Sequence, residues 1–154
     1  MKYNLISPRE YSSPIVQVLI NRGLYEKDIT HYLNTSPDDI LDPLLVGNVE
    51  AGAKMLAQHI KNKDKIFIQV DSDCDGFTSA AVLINWLYQL FPYYTSHYVS
   101  YRLHEDKSHG IILDTIPEDV KLVIIPDAGS AEYELHAQMK QNGIDVLVLD
   151  HHEA

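Results

Sequence analysis

The residues best equipped for chemistry are acids and imidazoles gathered in three places. Asp71, Asp73 and Asp75 alternate within Asp71-Ser72-Asp73-Cys74-Asp75-Gly76, Asp127 precedes Ala128-Gly129, and Asp150-His151-His152 comes near the end of the sequence. Carboxylates this close repel one another unless a positive group sits among them. Carboxylate oxygens and imidazole nitrogens suit a hard or borderline divalent cation. Adjacent histidines point in different directions, so the pair is expected to divide its work. One ligates metal, and the other contacts phosphate or protonates a leaving group.

Each cluster closes an apolar run: Ile66-Phe67-Ile68-Gln69-Val70, Leu122-Val123-Ile124-Ile125-Pro126 and Val146-Leu147-Val148-Leu149. The pattern predicts strands over 65–70, 96–101, 121–125 and 145–149, with helices over 77–90 and 131–142 and an exit at Gly143. Such alternation predicts an α/β fold, a mostly parallel sheet flanked by helices. The C-terminal ends of its strands line one crevice, where ligands bind in open sheets of this kind. The expectation is a metal-dependent phosphoesterase core over residues 63–154.

Residues 1–62 read as a helical lead-in. Ser13 can cap a short helix, Pro14 suits its first position and Gly23 its exit. A second helix is predicted over 26–33, then a loop bracketed by Pro37 and Pro43. Asn48 is placed to cap a helix over 49–61, in which Val49, Ala53, Leu56 and Ile60 share one face.

Simpler readings compete. An aspartate in a turn or capping a helix would account for one member of the first cluster, or for Asp127 alone. Three alternating acids after a buried strand fit that poorly. An EF-hand loop opening at Asp71 needs a bidentate Glu at its twelfth position, where this sequence has Val82. A haloacid-dehalogenase-type phosphatase fits Asp73-Cys74-Asp75-Gly76, but Phe77 stands in place of its usual Thr, and Asp150-His151-His152 is left unexplained.

The 154 residues, 45% hydrophobic and 22% charged, are those of an ordinary globular protein. No apolar run approaches the ~20 residues of a membrane span, the N-terminus lacks a signal-peptide core, and the single Cys74 cannot form an internal disulfide. A cytoplasmic setting without membrane contact is expected. The net charge of −10 argues against a general polyanion-binding surface. Two divalent ions among the acids would cancel much of it, so that nucleic-acid contact would depend on metal and on local basic residues. The alternative is that the acidic excess serves solubility.

Taken in order, these motifs resemble the DHH phosphoesterase superfamily, and within it the RecJ-like single-strand DNA exonucleases. Asp71-Ser72-Asp73-Cys74-Asp75-Gly76 is similar to that family's Asp-Tyr-Asp-Ala-Asp-Gly, and Tyr101-Arg102-Leu103 through Ser108-His109-Gly110 to its Arg…Gly-Tyr-Gly segment. Asp127-Ala128-Gly129 is similar to Asp-Asn-Gly, and Asp150-His151-His152 is the name-giving motif. The lead-in resembles the family too, at Leu19 to Leu24, His31-Tyr32-Leu33 and Leu41-Asp42-Pro43.

The resemblance implies metal ligation by Asp73, Asp75, Asp127 and His151, with Asp71 at the edge of the metal site. Asp150 would orient the site, His152 would contact phosphate or act as acid, and Arg102 and His109 would hold phosphate. It implies two-metal hydrolysis with manganese or magnesium, acting on single-stranded DNA from its 5′ end. Ala128 and His109 replace the family's Asn and Tyr. The family continues past the equivalent of Ala154 with a further ligand and a second domain. One metal site is therefore expected to be incomplete without a C-terminal domain or complementing chain. Two other readings stay open: a phosphodiesterase for short oligonucleotides or cyclic dinucleotides, and a non-catalytic metal- or protein-binding module.

Overall fold

The computed structural model describes residues 13–104 and 109–152. Residues 105–108, part of the segment compared with Arg…Gly-Tyr-Gly, lie outside it. The chain forms two compact units that divide between Gly47 and Asn48.

The first unit holds helices α1 (Pro14–Asn21) and α2 (Glu26–Leu33). Ser13 caps α1, accepting from the Val16 amide with Pro14 in the first turn. Gly23 leaves the helix at a φ of +86°, a conformation glycine adopts without penalty. Two short 3-10 turns follow at Pro37–Asp39 and Pro43–Leu45, each opened by a side-chain cap from Ser36 or Asp42.

The second unit is a parallel four-stranded sheet of β1 (Lys65–Val70), β2 (Val99–Leu103), β3 (Val120–Pro126) and β4 (Asp145–Leu149), in the order β2-β1-β3-β4. The α/β expectation holds. Alternate residues of β1 and β3 serve opposite faces. On one, Ile66, Ile68, Val70, Leu122 and Ile124 pack against α3 (Val49–Asn62), α4 (Cys74–Leu90) and α5 (Pro92–Tyr98). On the other, Phe67, Val123 and Ile125 pack against the segment around Ile111 and against Met139 of α6 (Tyr133–Gln141). Burial on both faces explains why the β1 and β3 runs are almost continuously apolar.

Two elements and one cap differ from the sequence reading. Helix α3 was grouped with the lead-in, but Leu56 lies in the sheet's core with Met55 and Ile60 packed beside it. Asn48 precedes α3 in the left-handed region, φ 63°, and makes no side-chain cap. The stretch expected as a strand over 96–101 begins instead as α5. Pro92 opens it, and ring pairs one helical turn apart, Tyr93–His97 and Tyr94–Tyr98, stack along it. Helical spacing outweighs the strand preference of its aromatic residues.

Candidate metal centre

Each of the four strands is followed by an acid or an imidazole. Asp71 follows β1, His104 follows β2, Asp127 follows β3 and Asp150 follows β4. Strand register brings them together in pairs. Val70 partners Leu103, and the His104 amide continues the ladder to the Val70 carbonyl at 3.1 Å, which sets His104 beside Asp71. Pro126 partners Leu149, and the Asp127 amide donates to the Leu149 carbonyl at 2.8 Å. Strand order reverses between β1 and β3, the topological switch point where open sheets bind ligands.

Asp73 caps α4, accepting from the Gly76 amide at 2.9 Å. The helix therefore starts at Cys74 rather than at Phe77, and Gly76 lies in its first turn. A Cβ on Gly76 would stand 2.6 Å from Asp71 Cβ and 2.8 Å from its carbonyl oxygen, so only glycine lets the helix meet the end of β1. The capping interpretation thus holds for Asp73, yet one ligand oxygen from each of Asp71, Asp73 and Asp127 lies within 4.8 Å of the others. Burial of Asp127, the facing Asp73 and Asp75 push the Asp127 carboxyl up, against the opposing pull of His151. Asp73 is held below its usual value, chiefly by the Gly76 amide. One acid of a facing pair thus keeps its proton more readily than the other.

Asp127 does not cap α6, which begins only at Tyr133 behind Glu132. It is 5% exposed and sits at φ 67°, in the left-handed region where non-glycine residues are strained. Its Oδ1 lies 3.0 Å from His151 Nε2. Its Oδ2 is buried without a hydrogen-bond partner among the described residues. A buried carboxylate oxygen left unsatisfied is costly, and a cation is one group that would satisfy it.

Asp150 ties the second cluster together. It accepts from the Ser130 amide at 3.1 Å, the His151 and His152 amides at 2.8 and 3.1 Å, and His152 Nδ1 at 2.6 Å. Burial opposes its ionisation, but these hydrogen bonds win and hold it well below the usual carboxylate range. The bond from His152 to Asp150 in turn raises the imidazole. The two histidines do not diverge as expected. One nitrogen of each lies within 4.8 Å of the other and of an Asp127 oxygen, so both could meet one ion.

A cleft of about 370 Å³ is lined by Asp71, Asp73, His109, Asp127, Asp150 and His152, among others. Asp75 and His151 line a neighbouring hollow that shares Asp127 and Asp150. Asp75 stands outside both three-residue groupings. Arg102 lies on β2 and does not line the cleft. Sequence reasoning missed His104, whose Nδ1 lies 3.1 Å from Asp71, and Glu132, whose carboxylate takes the Ile111 amide at 2.8 Å beside His109. The sequence reading ends β2 at residue 101, two short of the observed Leu103, so His104 did not stand out as a strand-end residue.

Residues 65–154 match the family model described as the DHH family, N-terminal domain. The chain belongs to the DHH family. Among its relatives is the SPbeta prophage-derived protein of Bacillus subtilis (strain 168) named as single-strand DNA-specific exonuclease YorK, 40% identical over 154 residues. That match covers 99% of this chain and 26% of the relative. The single-stranded-DNA-specific exonuclease RecJ of the same organism is 27% identical over 156 residues, covering 99% of this chain and 20% of RecJ. A crystal structure of exonuclease RecJ bound to manganese superposes with a TM-score of 0.60 at 24% identity, over 74% of this chain and 30% of that one. This DHH-family chain thus spans about a quarter of the length of the curated relatives it matches.

Proposed function

We propose that the strand-end row is the metal-binding part of a hydrolase that cleaves phosphodiesters of single-stranded DNA from the 5′ end. The observation that carries this reading is buried Asp127, which shares one grouping with Asp71 and Asp73 and another with His151 and His152, and whose Oδ2 has no partner among the described residues. Asp73, Asp127 and His151 would hold the ions, with Asp75 approaching from the adjoining hollow. Divalent ions bound there supply neutralising charge and activate water for attack on phosphorus. Manganese or magnesium fits this donor set, and manganese, which the RecJ structure contains, is the first to test.

The chain's own residues supply the rest. Asp150 fixes the direction of His152, whose ring faces the cleft as a phosphate contact or proton donor. His109 lines the same cleft and would hold phosphate. Arg102 lies outside it, so any phosphate it binds would be another along the strand. Single-stranded DNA as substrate is supported by what YorK and RecJ are named for.

The test is release of mononucleotides from 5′-labelled single-stranded DNA with added manganese, beside Asp127→Asn. Metal-dependent release that the variant loses is expected. Release that persists in Asp127→Asn, or that needs no divalent ion, would contradict the reading. The same assay on a dinucleotide separates a long-strand nuclease from an oligonucleotide phosphodiesterase.

A further inference from the structure

We infer that His104 is a positioning residue that acts through Asp71 on His109. Asp71 is 3% exposed and receives two imidazoles. His104 Nδ1 lies 3.1 Å from Oδ1, and His109 Nδ1 lies 2.8 Å from Oδ2 and 3.1 Å from Oδ1. An ionised carboxylate only accepts hydrogen bonds. Both rings must therefore carry their proton on Nδ1, and a neutral His109 keeps its Nε2 lone pair free.

The packing shows which ring serves which. The His104 side chain is fully buried, and its Nε2 has no partner among the described residues, so Asp71 is what its ring addresses. The His109 side chain is 61% exposed and lines the cleft. Asp71 cannot retreat, because Gly76 of α4 abuts its Cβ and carbonyl. Glu132 holds the Ile111 amide, and Gly110 turns at φ +72° against that carboxylate, which fixes the backbone that delivers His109. His104 thus anchors one oxygen of a carboxylate whose other oxygen orients the exposed ring. A carboxylate behind an imidazole fixes its tautomer and direction in metal and catalytic sites alike.

The functional consequence rests on the proposed hydrolytic reading; the tautomer does not. Long-range 1H–15N spectra of the metal-free full chain, near pH 8, read each histidine directly. The expected result is Nδ1–H for His109, against the Nε2–H form that free imidazole side chains favour in water. His104→Phe should move His109 toward Nε2–H, and His104→Asn, which returns a donor near the Nδ1 position, should restore it. If His104→Phe does not fold, His104→Gln answers the same question, because its amide reaches toward the Nε2 position instead. An Nε2–H His109 in the unaltered chain, or a His109 unmoved by the loss of the His104 donor, overturns the inference.

Hydrolysis is then assayed on the same variants, with loss of about tenfold in His104→Phe and recovery in His104→Asn expected. A tautomer shift without any hydrolysis by the unaltered chain would sink the functional reading and leave the relay standing. Hydrolysis with an insensitive tautomer would do the reverse.

Discussion

His151 Nε2 lies 3.0 Å from Asp127 Oδ1, a contact between the ends of two neighbouring strands. It exists because Pro126 and Leu149 are register partners and the Asp127 amide continues the ladder past them. A one-residue slip of β4 would turn these side chains to the other face. The arrangement is thus a property of sheet register, and local substitutions can separate what holds the fold from what would hold a metal.

Asp73 would serve both ends, because its carboxylate caps α4 and faces Asp127. Asp73→Asn keeps a capping oxygen and should leave the urea midpoint nearly unchanged while weakening manganese binding more than about tenfold. Asp73→Ala should lower the midpoint as well. Urea unfolding and calorimetric titration on the two variants check this.

Gly76→Ala should destabilise, against the usual gain of up to ~1 kcal/mol for removing glycine from a helix. The new Cβ would meet Asp71 at 2.6 Å, and its neighbour there includes backbone. A loss of about 2 kcal/mol is expected from such overpacking. Manganese affinity should fall with it, because Asp71 must shift.

Tyr94 donates its hydroxyl to the Asp64 carbonyl at 2.6 Å, and burial, with Asp64 and Tyr98 nearby, pushes its pKa from 10.0 to about 12. The folded state holds this proton more tightly than the unfolded chain does. Its contribution to stability is therefore complete below pH 10 and is lost as pH rises from 10 to about 12. Tyr94→Phe should cost about 1 kcal/mol at neutral pH. The gap between the two proteins should close over that alkaline window in urea unfolding followed by circular dichroism.

His59 is 8% exposed and bridges Asp64 at 2.9 Å and Asp145 at 3.1 Å, tying α3 to the start of β4. Both ring nitrogens face carboxylates, so His59→Phe removes the partner that Asp64 and Asp145 share. A loss of about 2 kcal/mol is expected. Manganese affinity should hold, because this bridge lies at the opposite end of β4 from Asp150.

Much of this was legible in the sequence, for identifiable reasons. Strands β1 and β4 were read to the residue because their apolar runs stop abruptly at Asp71 and Asp150. The gathering of Asp71, Asp127 and Asp150 was legible because each directly follows such a stop. Helix α5 was not, since the strand preference of its aromatic residues masked the helical spacing of Tyr93 with His97 and Tyr94 with Tyr98. The convergence of His151 with His152 depends on Asp150 gathering both backbone amides, which spacing does not reveal. His104 and Glu132 were missed because each acts on another protein group, and such partners are fixed by register and loop path.

The most direct test of the account is manganese binding by the chain, followed by electron paramagnetic resonance of the free ion, beside Asp127→Asn. Saturable binding is expected, abolished in Asp127→Asn while the variant's far-ultraviolet circular dichroism stays unchanged. Equal binding by the two folded proteins, or none by the unaltered chain, would contradict it.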